Sequence, residues 1–242
     1  MNMFDQYLDD VRHTLASRDF QDRARISSFD PGKNWPRGRA GDIILSPETA
    51  IDLGHPQTES LSFLLWTGTP GKVRDGGITV IGPELKDLTD LKSPFGKITL
   101  TCVRGFTQDN AYERFQEMDM VRSRLCLEGH MLRIVPQQNR EWSRIGRKAL
   151  EAGLSLETIG NELIRDYRKL DYVDAAEVIF ITSSAADIQK FKPISEKTAQ
   201  IIKALNRIFD NLEFDCEACG FKDVCDEVED LRGMHKRARQ KS

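Results

Sequence analysis

The order of the apolar runs is what most constrains the fold of this chain. "DIILS", "SLSFLLWTG", "GGITVIG" and "GKITLTCVRGF" come first, each broken off by Gly, Pro or Asp in the manner of short strands. Helical periodicity dominates afterwards, interrupted by one late apolar strand, "AAEVIFITS". Strands first and helices later argue an α+β fold, a mixed sheet with packed helices, rather than a regular βαβ alternation. Before the strands, Phe4, Leu8, Val11 and Leu15 recur at helical spacing and predict a helix over 3–18. Residues 25–40 ("FDPGKNWPRGRAG" and its approach) read as a structured surface loop. Lys33, Arg37 and Arg39 around Trp35 in that loop lack the spacing of a phosphate-binding P-loop.

The second half predicts a long helix over 109–130, a short apolar stretch "MLRIVP", and a second helix over 138–152. Gly153 is the expected residue past its end, and Ser155 the N-cap of the next helix, which runs to about Leu170. "ISEKTAQIIKALNRIF" has a clean apolar helical face. The chain divides into an α+β domain over 1–209 and a cysteine-rich segment over 210–242.

With 242 residues and a net charge of −3, nothing in the composition points to nucleic acid. No apolar run reaches the roughly 20 residues that span a bilayer. The N-terminal stretch lacks a signal-peptide layout, so a cytoplasmic location is expected. In that reducing compartment, clustered thiols bind metal more often than they form disulfides.

"FDCEACGFKDVCDEVEDLRGMH" contains such a cluster, C-x2-C-x5-C, formed by Cys216, Cys219 and Cys225. Cys225 is expected at the start of a last helix, where the positive end favours a thiolate. Zinc would need a fourth ligand, and His235 is a candidate. On a continuous helix, however, it lies roughly 15 Å beyond Cys225. A 4Fe-4S cluster is favoured over zinc, with its fourth ligand open, supplied by a partner, or drawn from Cys102 or Cys126. Each of these two also reads as a buried structural cysteine, Cys102 in a strand and Cys126 in a helix.

The stretches "GGITVIGPELKDL", "FGKITLTCVRG", "QQNREWSRIGRKALEAGLSLETIGNELI" and "VDAAEVIFIT", in that order over roughly 77–190, resemble the middle domain of acetyl-CoA synthase, from the carbon monoxide dehydrogenase/acetyl-CoA synthase complex. The cysteines stand where that family places its A-cluster motif. The resemblance implies anaerobic one-carbon, corrinoid or acyl-CoA metabolism and a metalloenzyme or corrinoid partner. It also implies a coenzyme A site at Trp142, Arg144 and Arg147, with Arg133, Arg140 and Lys148 adding positive charge. An indole face suits adenine and guanidinium forks suit phosphate. A solvated basic helix face is the plain alternative. The family holds its distal nickel with a C-x-C motif, and this sequence has none, so nickel is not expected in the isolated chain. Three roles follow: an electron-transfer or accessory iron–sulfur subunit; a module whose cluster or zinc is a structural staple, as in certain RecB-like nucleases; or acetyl-CoA synthesis with nickel ligands supplied by a partner.

Overall fold

The computed structural model describes residues 2–39, 41–135, 138–209 and 220–241, without the side chains of 209, 235–236 and 238–241. The chain is α+β, built on two mixed sheets. Helices α1 (Asp5–Leu15) and α2 (Arg18–Gln21) precede β1 (Ala24–Ser28), β2 (Thr49–Leu53), β3 (Ser60–Thr67), β4 (Gly77–Ile81), β5 (Lys92–Ser93) and β6 (Phe95–Val103). Then follow α3 (Ala111–Ser123), β7 (His130–Val135), β8 (Arg140–Gly146), α4 (Arg147–Glu151), α5 (Leu156–Tyr167) and β9 (Val173–Ile181). The chain continues with α6 (Ala185–Gln189), α7 (Lys192–Phe209), α8 (Lys222–Glu227) and α9 (Glu229–Lys241).

The larger sheet has the order β1-β4-β9-β6-β3, with β4–β9 and β6–β3 parallel and the other pairs antiparallel. Both faces of the sheet are covered at that end: every residue of β3 and β6 is buried, the polar Lys97, Thr99 and Thr101 of β6 included. Helix α5 lies against β4 and β9. Gly160 permits that approach: a Cβ there would sit 3.0 Å from Ile78 and 3.1 Å from Phe180. The cap expected at Ser155 is present, its hydroxyl accepting from Thr158 N at 3.0 Å, and Gly153 takes φ +94 past α4.

The smaller sheet has the order β5-β2-β8-β7. Strand β8 occupies the centre of the helix expected over 138–152, which is thereby corrected to a strand and the one-turn helix α4. Its burial alternates with period two: Glu141, Ser143 and Ile145 point inward, Trp142 and Arg144 outward. Two of the inward residues are polar, so an apolar pattern could not reveal the alternation.

Other expectations shift similarly. "DIILS" is not a strand; Ile43 and Leu45 are about three-fifths exposed, and the strand is the following β2. The opening of the expected loop is the edge strand β1. Helix α3 stops at Ser123, because Leu125 and Leu127 are both buried at two-residue spacing. Cys126 therefore lies outside the helix. The last helix breaks at Val228.

The sheets meet through a buried ion pair. Lys97 Nζ on β6 reaches Glu141 on β8 at 2.6 Å, each side chain 2% exposed. Ser62 Oγ of β3 donates to the same carboxylate at 2.8 Å, and Ser60 Oγ exchanges hydrogen bonds with the Glu141 backbone. Arg122 Nη1 donates to Ser62 Oγ at 2.8 Å and pairs with Asp119. Burial pushes the Lys97 ammonium down, and Glu141 opposes the shift. Removing one member of such a pair leaves a buried charge, at a cost of roughly 3–5 kcal/mol. Lys97→Met should therefore lower unfolding stability by about that amount. The double variant Lys97→Met/Glu141→Leu should lose less than the two single variants summed. Urea unfolding of all four proteins measures the difference.

Candidate functional site

Sequence reasoning put Trp142, Arg144 and Arg147 on one helical segment. The structure keeps Trp142 and Arg144 together, two apart on the outer face of β8, and puts Arg147 at the first residue of α4. Asp52 on β2, register partner of Arg144, organises them. Its Oδ1 accepts from Trp142 Nε1 at 3.0 Å and Arg144 Nε at 2.8 Å, while Oδ2 accepts from Arg144 Nη2 at 3.1 Å. Burial pushes the Asp52 carboxyl up, but these donors outweigh it and hold the group below the usual carboxylate range. Arg144 Nη1 also donates to the Ile44 carbonyl at 3.0 Å. The Arg144 fork is thus engaged within the protein.

The guanidinium of Arg144 lies 5.0 Å from the Trp142 ring centroid, and His55 meets the indole edge-on at 5.5 Å. The indole is half-buried. The freer cations are Arg133, directly opposite Trp142 on β7, and Arg147 and Lys148, all three exposed. Arg140 donates to the Thr58 carbonyl at 2.7 Å. The result is a half-buried aromatic platform with one exposed cation, Arg133, across from it and two more, Arg147 and Lys148, past the end of its strand, suited chemically to a planar base with anionic substituents. Asp52 and His55 escaped sequence reasoning because each is isolated in the chain. Only the pairing of β2 with β8 brings them to the tryptophan.

The structured surface loop expected around Trp35 is tied to the fold. Arg37 pairs with Glu162 at 2.7 Å and Asp166 at 2.9 Å, and Trp35 Nε1 donates to the Glu128 carbonyl.

Of the metal motif, Cys216 and Cys219 lie outside the described residues, as does the His235 side chain. Cys225 is the fourth residue of the six-residue α8 rather than its start, and is half-buried against the core beside buried Val224. The break at Val228 removes the continuous helix on which the distance to His235 was reckoned. Cys102 is buried on β6 with its thiol directed at the Thr69 carbonyl, 3.7 Å away, and burial pushes that thiol up. Cys126 is half-buried, and its carbonyl accepts from Gly38 N at 3.2 Å. Among the described residues, no three His, Cys, Asp or Glu side chains converge on a metal-sized site. No helix among them is long and apolar enough to cross a membrane.

Fold and site together define an α+β protein that joins a tryptophan-centred cationic sheet face to a terminal cysteine motif. The model of one family, the CO dehydrogenase/acetyl-CoA synthase complex beta subunit, matches residues 38–187, more than half of the chain. The chain belongs to that family. No curated protein sequence matches it.

His130 carries the clearest pH signature. It is buried on β7, its Nε2 lies 3.2 Å from Ser143 Oγ, and Nδ1 has no partner among the described residues. Burial pushes its imidazole down to about 3. The unfolded chain protonates this group near pH 6.5 whereas the folded chain does not. Its stabilising contribution is therefore complete above about pH 6.5 and is lost as pH falls toward 3. Between pH 6.5 and 5 the loss should approach about 2 kcal/mol. His130→Gln should flatten that part of a stability profile measured by urea unfolding.

Proposed function

We propose that the chain is an iron–sulfur accessory or electron-transfer subunit in anaerobic one-carbon and acyl-CoA metabolism, and that it binds coenzyme A on the outer face of the smaller sheet. The observation that carries the reading is the Asp52-held Trp142 platform with Arg133 exposed opposite it and Arg147 exposed past the end of the same strand, in a member of a family whose complex makes acetyl-CoA. Trp142 takes the adenine, and the exposed arginines take the phosphates. Arg144 serves instead to position the indole through Asp52.

The donor set of the terminal motif fits an iron–sulfur cluster: three thiolates lie within ten residues, and Cys225 stands at the margin of the core rather than deep within it. Cys216, Cys219 and Cys225 would hold it, with residues 210–242 as the metal-binding segment. A 4Fe-4S cluster supplies one-electron chemistry when bound. A physiological partner, a metalloenzyme or corrinoid protein of the same metabolism, would exchange those electrons. A structural staple is the second reading. It is favoured by the burial of Val224, Val228 and Leu231 in the same core as α1 and α7.

Anaerobically purified protein should contain iron and acid-labile sulfide, and Cys225→Ser should lose most of both. Protein with neither iron nor zinc would overturn the metal assignment. Reversible bleaching by dithionite supports electron transfer; a cluster that resists reduction, but whose removal lowers the thermal midpoint, supports the staple.

Calorimetry tests the coenzyme A site. A charge-assisted hydrogen bond contributes roughly 1.5–3 kcal/mol, so Arg147→Ala should weaken binding about tenfold or more. Trp142→Ala should do at least as much. Wild-type protein that binds no coenzyme A at millimolar concentration refutes the assignment.

A further inference from the structure

Strand β1 forms one edge of the larger sheet, and its backbone is only half used. Phe29 N donates to the Gly76 carbonyl at 2.7 Å and Gly82 N to the Arg23 carbonyl at 3.3 Å, on the register that pairs Ala24 with Ile81. Hydrogen-bonded pairs alternate along an antiparallel ladder, so Arg25 and Ser27 also turn their N–H and C=O groups toward β4. Ala24, Ile26 and Ser28 turn theirs away, to the outer edge. No other described backbone group bonds them there. The opposite edge of the sheet is covered: Ser62 N of β3 donates to the Asn139 carbonyl at 2.6 Å, and Ser60 exchanges hydrogen bonds with Glu141 of the smaller sheet.

Exposed edges are usually blunted by proline, by a bulge or by charge. β1 has no proline, its ladder with β4 has no register shift, and Ile26 at its centre is 62% exposed. Its one charge, Arg25, is engaged with Asp87 and the Gly82 carbonyl. On the face that carries Ala24 and Ile26, the strand borders a largely apolar hollow of about 460 Å³ that Leu15, Phe20 and Ile81 also line. The charges around this hollow are partnered, Arg12 with Glu177, and Arg74 with the Ser27 carbonyl and Ser28 Oγ.

The strand is complementary to itself. An antiparallel second copy has the same outward groups to offer, so even-numbered residues must oppose even-numbered ones. The register that pairs all five residues sets Ile26 opposite Ile26 of the second copy, Ala24 opposite Ser28, and Arg25 opposite Ser27. The next register one way sets Arg25 opposite Arg25, which like charge disfavours; the next the other way leaves Ala24 unpaired. In the full register each outward residue exchanges both N–H···O bonds with its opposite number, and the two isoleucines meet on the face that carries the hollows.

We infer that β1 is a self-association edge, across which two copies of this chain join their larger sheets into one continuous sheet about a two-fold axis. Five paired residues make a small interface, so association in the micromolar range is expected. The edge precedes residue 38, where the family match begins, and belongs to the other sheet from Trp142.

The test is sedimentation equilibrium of anaerobically purified, reduced protein, in which disulfide-linked species are absent. Wild type should be a dimer at tens of micromolar. Ile26→Lys should weaken association at least tenfold, because like charges then face each other at the axis. Ile26→Pro should do at least as much while keeping the fold, since it removes an N–H that the β4 ladder does not use. Wild type that stays monomeric at that concentration overturns the inference. A dimer undiminished in Ile26→Lys overturns it too, because the contact then lies elsewhere. Amide exchange on wild type gives a readout that needs no variant. On dilution, the amides of Ala24, Ile26 and Ser28 should lose protection at least tenfold, whereas those of Arg25 and Ser27 stay protected. Equal exchange of the outward amides in dilute and concentrated protein overturns the assignment of the edge.

Discussion

The carboxylate of Glu141 is the group on which the arrangement of this molecule turns. It is inside, between two sheets, and it collects Lys97 from one sheet and hydroxyls from Ser62 and, at 3.4 Å, Ser143. A buried pair of this kind adds little net stability, since the desolvation of both ions offsets their attraction. What it supplies is register. Strand side chains alternate, so a slip of one residue would bring Trp142 and Arg144 inside and put Glu141 in solvent. No hydrophobic gain could compensate for an unpaired Lys97 left in the core. The interior salt bridge thereby determines which residues of β8 form the outer face. The backbone enforces it too: Gly54 adopts φ +63, and a Cβ there would lie 2.2 Å from the Glu141 carbonyl.

The outer face inherits a second constraint. Asp52 is 4% exposed and nearly encircled by donors from Trp142 and Arg144. An arginine whose fork is satisfied by a carboxylate offers little further to an incoming phosphate, because the local charges already cancel. In the proposed coenzyme A reading the phosphates therefore fall to Arg133, Arg147 and Lys148, which are exposed.

How much could be read from the sequence follows the same physics. Strands β3, β4, β6 and β9 and helices α5 and α7 were legible because their buried faces are apolar and their ends carry Gly, Pro or a capping serine. β8 was not, because its inward positions include Glu141 and Ser143, whose partners lie far away in sequence on β3, β6 and β7. Lys97 gave a faint signal, a lone charge inside the apolar run "GKITLTCV", but nothing local says that it is paired. Of the candidate site, the pairing of Trp142 with Arg144 was anticipated while their helical setting was not. Asp52 joins them only through the register between β2 and β8. The resemblance was visible over roughly 77–190, where spaced blocks survive in order. The family match begins earlier, at residue 38, in the part where "DIILS" suggested a strand and the chain instead makes an exposed turn before β2.

Helix α7 joins separate parts of the molecule. Ala199 and Lys203 face a groove, whereas Lys197 pairs with Glu227 at 2.6 Å, and Glu227 also accepts from Tyr7 at 2.8 Å. Residues 197 and 199 are about 200° apart around a helix, so the groove and the α8 contact occupy opposite sides of α7. Glu227 is two residues beyond Cys225. The Lys197 and Tyr7 hydrogen bonds hold its carboxyl below the usual range, and it stays ionised through neutral pH. A metal-bound Cys225 would thus be tied by a charged contact to the helix that lines the groove. Side chains on α7 repeat every three to four residues, and a shift that follows one side must be accommodated on the other. Helix α7 therefore lines a groove on one side and anchors α8 on the other, while packing on β3.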